Sequence, residues 1–244
     1  MSTESVRISP RTSLIVKSRR LYLGLSIFMT AMVVVGFWPS YFGQILRGIP
    51  DRPWVIHLHG AVFTGWMALL LVQGVLAARG NLAAHRQIGN LGIAYGCAVF
   101  IIGLTVSFVA PVLHVKAGEW DIDRAAGFLP VPIGDMVLFG SFFGAAVLYR
   151  RKSEIHMRLM LFATVALLFA AVGRMTFLSS VPIALLVWFS PVLVGILYDI
   201  IKWRKVHRVY WIGSAALIVG LLRLVLAQTE PWLRIGRTIV QALL

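Results

Sequence analysis

Long apolar stretches alternate with short polar and basic segments along the whole chain. A helix needs about 20 predominantly apolar residues to cross about 30 Å of hydrocarbon. Seven stretches qualify, at about residues 21–38, 54–78, 90–112, 131–149, 157–178, 182–201 and 209–227. The sixth is the weakest, because Pro182 and Pro191 interrupt it and only Ser179 and Ser180 separate it from the fifth. The pattern predicts an all-α polytopic bundle of seven transmembrane helices.

The segments around this bundle divide a single integral membrane domain, residues 1–244, into three parts. Residues 1–20 form a basic tail, residues 21–227 the transmembrane bundle, and residues 229–244 a short amphipathic helix on the membrane interface. In the last segment Thr229 is the expected helix cap, with Glu230 in the first turn and Pro231 just inside. The first apolar stretch is longer than a signal-peptide core, which predicts an uncleaved signal anchor.

The Lys and Arg residues are distributed unequally between the two sides of the predicted bundle. Fifteen lie in the N-terminal tail and the loops on its side, and six lie on the opposite side. Because cytoplasmic loops carry the excess of basic residues, we predict a cytoplasmic N-terminus. The largest outer segment, about residues 113–130, is expected to be a solvated loop.

Composition excludes a soluble protein and a nucleic-acid binder. The 244 residues are 59% hydrophobic and 13% charged, with a mean hydropathy of +0.85, whereas soluble domains contain roughly 25% charged residues. The net charge of +14 comes from short clusters between apolar stretches, so the expected partner is a lipid bilayer with an anionic inner leaflet. Cys97 is the only cysteine, which excludes an intramolecular disulfide.

Ionisable side chains inside the spans are the first candidates for function, because burying them in the membrane is costly. They are His59, Asp135, Arg174, Asp199 and Arg223. All except Asp199 fall about one turn inside the outer surface, which predicts one buried cluster. A structural ion pair, such as Asp135 with Arg174, is one interpretation; an anionic or carbonyl-bearing ligand between the two arginines is the other. A local ion pair with Lys202 or Arg204 is expected for Asp199.

The second span carries a polar stripe. His59, Trp66 and Gln73 recur every seven residues and therefore share one helix face. We expect this face to point into the bundle and the leucines at 69–71 to point largely elsewhere. His57 lies about 200° around the helix from His59, so the two cannot chelate one ion from a regular helix. His57 is therefore expected at the interface.

Three predicted inner ends carry a histidine followed closely by an arginine. They are His85-Arg86, His156-Met157-Arg158 and His207-Arg208. Imidazole is the commonest protein metal ligand, and His59, His85 and His156 are the candidate metal ligands. Their spacing matches no compact metal motif, and anchoring at the membrane interface is the alternative.

Several of these motifs, in this order, resemble a group of bacterial multispan membrane proteins of unassigned function. The likeness rests on the H-x-H motif at 57–59 with Trp66 and Gln73, the H-R-x-x-G motif at 85–89, the Pro132–Asp135 segment, the H-x-R-L-M motif at 156–160, and the segment from Tyr198 to His207. The resemblance implies a location in the bacterial inner membrane. It implies no activity.

Three classes of function fit these residues. The first is a redox or electron-transfer protein that handles haem b or quinone, with histidines as axial ligands; pairs considered include His59 with His57 or His114, and His85 with His156. The second is a membrane enzyme or transporter for a small or lipophilic anion, with His59 and Asp135 as proton-active groups. The third is a non-catalytic subunit or assembly partner of a membrane complex. The candidate cofactor-binding residues are His57, His59, Trp66, Gln73, Arg174 and Arg223.

Overall fold

The computed structural model describes residues 10–48 and 52–244, with side chains described from Ser18 onward. Arg7, counted in the predicted basic tail, lies outside the described residues. Within the described part every regular element is helical. The α-helices are α1 (Pro10–Phe37), α2 (Gly43–Leu46), α3 (Trp54–Ala78), α4 (Leu82–Lys116), α5 (Ile122–Phe128), α6 (Pro130–Leu148), α7 (Ser153–Val172), α8 (Val181–Trp203), α9 (Arg208–Gly220), α10 (Leu222–Leu226) and α11 (Glu230–Leu243).

Seven helical stretches in the described part are long and apolar enough to cross a membrane, which confirms the predicted number. They comprise α1 with the turns that follow it, α3, α4, α5 with α6, α7, α8, and α9 with α10. We call the end of the bundle where α1 begins the proximal end and the opposite one the distal end. The protein is therefore a multi-pass membrane protein built as a helical bundle.

The helix ends differ from the apolar stretches in three places. Helix α4 spans 35 residues, because its amphipathic ends continue beyond the predicted 90–112. Helix α7 ends at Val172, so Arg174 lies just beyond it. Helix α8 continues through Pro191, while Pro182 stands in its first turn, where its missing N–H costs nothing.

Helix α7 lies at the centre of the bundle. Its residues Phe162, Ala163, Val165, Ala166 and Leu168 are completely buried. It packs against α1, α6, α8 and α9. Small residues permit the close approach of its neighbours, since the Cα of Gly213 on α9 faces the Phe162 ring and that of Gly36 on α1 faces the Ala171 carbonyl. Helix α7 therefore has neighbours on several sides, and it carries His156 and Arg158 of the polar groups described below.

A helical cap covers part of the distal end, where a solvated loop was expected. The prediction for residues 113–130 was wrong, because α4 continues to Lys116 and the Asp121 carboxylate caps α5 by accepting the Arg124 N–H at 2.7 Å. Helix α11 packs on α5, and the Trp232 indole N–H donates to the Ala126 carbonyl at 2.9 Å. Gly236 and Val240 of α11 are thus buried, while Ile235 and Leu243 stay about half exposed.

Candidate functional site

Asp135 forms a buried ion pair at the distal end, but its partner is not Arg174. The Asp135 carboxylate lies 2.5 Å from Arg223 Nη2, and both side chains are at most 7% exposed. Arg223 also donates to the Gly220 carbonyl at 2.8 Å, where the seventh span breaks between α9 and α10. Glycines at 134 and 220 leave the space that the arginine occupies. Helix α10 packs on α6, which places Arg223 beside Asp135 and explains the choice of partner.

Arg174 lies instead against the distal end of α1. Its guanidinium stacks on the Phe37 ring, 4.7 Å from the centroid, and donates to the Ala170 carbonyl at 2.7 Å. Arg174 makes no ion pair with any described residue. Its charge acts on His59, whose Nδ1 is buried and has no hydrogen-bond partner in the described part. His57 contacts Tyr41, with 3.2 Å between Nδ1 and the phenol oxygen.

The structure thus brings two of the four predicted members of the outer cluster into direct contact. Asp135 pairs with Arg223, whereas Arg174 stacks on Phe37 and His59 packs on Phe63. The predicted pair of Asp135 with Arg174 is wrong, because Arg174 follows the end of α7 and is held by Phe37 on α1. Whether these groups act together stays a prediction.

Two residues of the polar stripe on α3, Trp66 and Gln73, face other helices. Trp66 is 2% exposed and contacts Phe139 and Phe143 edge-on, with centroids 5.2 and 5.6 Å apart. The Gln73 amide lies against α4, where in the favourable orientation its nitrogen donates to His85 Nδ1 and to the His85 carbonyl, and its oxygen accepts the Gly89 N–H. The leucines do not simply face away, since Leu69 and Leu70 also pack against the core.

The proximal end brings together two histidines from different spans. The rings of His85 on α4 and His156 on α7 have centroids 6.5 Å apart and lie nearly perpendicular. His156 Nδ1 lies 2.8 Å from the Ala146 carbonyl, and His85 Nδ1 lies 3.3 Å from the Gln73 carbonyl. No described residue makes a hydrogen bond with Nε2 of either ring. His59 does not join them, and no three His, Cys, Asp or Glu side chains of the described residues are arranged to hold a metal ion.

Positive charge and small residues surround this histidine pair. The charges of Arg19 and Arg86 act on His85. Gly89, one turn after His85, would bring an added Cβ only to 3.9 Å from the Gln73 amide, and an added Cβ on Gly144 would meet nothing within 4 Å. Helices α4 and α7 are not close packing partners, because each packs mainly on α3 or α6. The two imidazoles therefore approach each other edge-on from helices that are not direct packing partners.

A second proximal network contains residues that sequence reasoning assigned differently or missed. Asp199 accepts from Arg158 at 2.7 Å and from the His207 main-chain N–H at 3.1 Å. The predicted local pair of Asp199 with Lys202 or Arg204 is wrong, since Asp199 is 1% exposed and faces α7. The Tyr210 ring lies under the Arg158 guanidinium, and its hydroxyl is 2.8 Å from that of Tyr22.

Arg158 was counted only as a basic loop residue. His156 and Arg158 lie about 200° apart around α7, and both contact other helices because α7 has neighbours on several sides, so the spacing alone did not identify Arg158. Nothing in the sequence pattern marks Tyr22 or Tyr210.

Comparisons with known proteins add no assignment. No protein-family model, curated protein or solved structure matches the chain. The bacterial origin and inner-membrane location implied by the motif resemblance therefore stay predictions.

Proposed function

We propose that the protein is a membrane redox protein that carries haem b between His85 and His156. The observation that carries the proposal is the approach of two imidazoles from separate spans, with ring centroids 6.5 Å apart. Metal–imidazole bonds of about 2.0–2.1 Å on both sides of one iron put two ring centroids at about this separation. Bis-histidine haem needs two histidines at the same depth on different helices.

The hydrogen bond of His156 supports ligation through Nε2. Ligating histidines usually donate their other ring N–H to a carbonyl or carboxylate, which fixes tautomer and orientation, and the Ala146 carbonyl supplies this acceptor for His156. For His85 the Gln73 main-chain carbonyl is the acceptor only in the Nδ1–H tautomer. In the other tautomer His85 Nδ1 accepts from the Gln73 amide nitrogen, so haem ligation requires this amide to turn its oxygen toward Nδ1.

The number of ligands and the surrounding charge favour haem over a bare metal ion. A structural Zn²⁺ takes four ligands, usually all from protein, whereas the described part offers no group of three ligating side chains. Haem supplies four nitrogens itself and needs only axial ligands. Arg19 and Arg86 would repel a bare cation but pair with haem propionates.

Haem content of purified variants tests the proposal. Protein purified from haem-replete cells should contain about one haem per chain, and His85→Ala and His156→Ala should each lose most of it. His114→Ala is the matched control, because His114 lies at the other end of the same helix, stacked on Trp120 with centroids 4.3 Å apart. Retention of haem by both proximal variants, or equal loss in the control, would reject the assignment.

A further inference from the structure

Two arginines converge on the distal end of α1. Arg174 stacks on Phe37, the last residue of α1. Arg52 donates to the Ser40 carbonyl at 3.1 Å and to the Gln44 side chain at 2.7 Å, within the turns that follow. The two contacted residues, Phe37 and Ser40, lie three residues apart in the chain, so guanidinium groups from different segments are held at the same end of α1.

No carboxylate of a described residue neutralises either arginine. Each donates to a main-chain carbonyl at a helix end, Ala170 for Arg174 and Ser40 for Arg52. A helix C-terminus carries only roughly half a negative charge, so within the described part these contacts leave positive charge at this end of α1. Arg174 is exposed, whereas Arg158 and Arg223 are buried with buried carboxylate partners.

A buried imidazole edge adjoins the pair. His59 Nδ1 has no solvent contact and no hydrogen-bond partner among the described residues. The next residue, Gly60, faces the Tyr41 ring in the turns that follow α1, which places His59 at the same end of the bundle as the two arginines. An unsatisfied buried polar atom costs about 1–3 kcal/mol. A bound oxygen atom would accept hydrogen bonds from both residues.

The surroundings of this site suit an amphiphile. Trp38, Phe177 and Val181 follow the α1 and α7 ends and are 47, 67 and 69% exposed. Aromatic residues at span ends are typical of the headgroup level of a membrane. We propose that Arg174, Arg52 and His59 form a distal site for the anionic head group of a membrane amphiphile, a phosphate or a carboxylate. The site is separate from the proposed haem site.

A melting experiment with matched variants tests this site. Purified protein in neutral detergent is titrated with phosphatidylglycerol, with a zwitterionic phosphatidylcholine and with inorganic phosphate, and its thermal unfolding is followed. We expect the anionic lipid to raise the melting temperature saturably and the zwitterionic lipid to do so far less. Arg174→Gln should weaken the apparent affinity about tenfold or more, as expected for the loss of charge-assisted hydrogen bonds.

Arg124→Gln is the control, since Arg124 also stacks on an aromatic ring, 4.8 Å from the Trp120 centroid, without an ion pair. His59→Leu provides a second variant that removes only the buried imidazole, and it should weaken binding while keeping the fold. Equal affinities in the Arg174 and Arg124 variants would overturn the proposal. A response to inorganic phosphate alone would overturn the amphiphile as occupant.

Discussion

An ion pair between Arg158 and Asp199 connects two spans, α7 and α8. They lie 2.7 Å apart and are 2 and 1% exposed, so each needs the other to offset its burial. We expect Arg158→Met to destabilise the fold by about 3–5 kcal/mol, because it leaves a buried carboxylate without its cation. The double change Arg158→Met with Asp199→Leu should recover part of that loss, because it removes the unpaired carboxylate of Asp199 while Glu154 and the His207 N–H still lose their partners.

Denaturant unfolding in detergent measures both effects, with the exposed Arg150→Ala as control. Equal destabilisation by the single and double variants would show that the ion pair is not the reason for the cost.

His207 is a capping residue that should make stability depend on pH. Its Nδ1 accepts the Val209 N–H at 3.2 Å at the start of α9, and burial together with the charge of Arg158 lowers the pKa of His207, against the opposing effect of Asp199. Because the folded pKa lies below the unfolded value of about 6.5, the unfolded state takes up the proton first. Stability is therefore complete above that pH and falls as the pH drops through it.

Comparing the wild type with His207→Asn measures this dependence, since asparagine caps a helix without titrating near neutral pH. The variant should lose part of the decline in melting temperature between pH 7 and pH 5, and an unchanged decline would contradict the role assigned to His207.

At the level of elements, the cap made by α5 and α11 contains a close approach between Gly236 and Ala126. An added Cβ on Gly236 would collide with the Ala126 main chain. Gly236→Leu should therefore lift α11 from α5, at a cost of about 1–3 kcal/mol. Faster amide hydrogen exchange in α11 is the measurement. Gly24→Leu is the control, because nothing lies within 4 Å of its added Cβ, and equal exchange in the two variants would contradict this packing.

The number of spans could be predicted from sequence because hydropathy over about 20 residues does not depend on which helices pack together. Pairings could not. Asp135 and Asp199 both lie in spans, yet their partners, Arg223 and Arg158, are chosen by helix packing that no local pattern encodes. Thr229 stands at the start of α11 as predicted, but its hydroxyl donates back to the Leu226 carbonyl instead of capping the helix.

The cap before α5 was detectable, since Asp121 with Asp123 in the first turn is a typical helix start. Because the 113–130 segment mixes apolar and charged residues, this helix start was not recognised and the segment was predicted as a loop.

At the level of the whole molecule, the seven spans put the two chain ends on opposite sides of the membrane. The basic residues predict that the proximal end is cytoplasmic. A reporter active only in the cytoplasm should therefore give no signal when fused after Leu244. The same reporter fused after Lys152, between α6 and α7, should give a strong signal. The opposite pattern would reverse the orientation, and signals at both positions would mean that the number of spans is wrong.

Sequence and structure contribute different observations to the candidate haem site. His85 and His156 are recognisable as histidines at span ends, but only the fold shows that they approach each other while His59 stays apart. The hydrogen-bond acceptors Ala146 and Gln73 also come from neighbouring helices. A sequence motif cannot show which residues of a neighbouring helix form hydrogen bonds with the histidines.

Electron paramagnetic resonance of the oxidised protein tests the central claim most directly. Protein purified from haem-replete cells should show the low-spin ferric signal of two imidazole ligands, as expected if His85 and His156 both hold the haem as proposed. His156→Ala should convert any remaining haem to a high-spin, five-coordinate form, while His114→Ala keeps the low-spin signal. A protein without haem, or a low-spin signal unaffected by His156→Ala, would contradict the account.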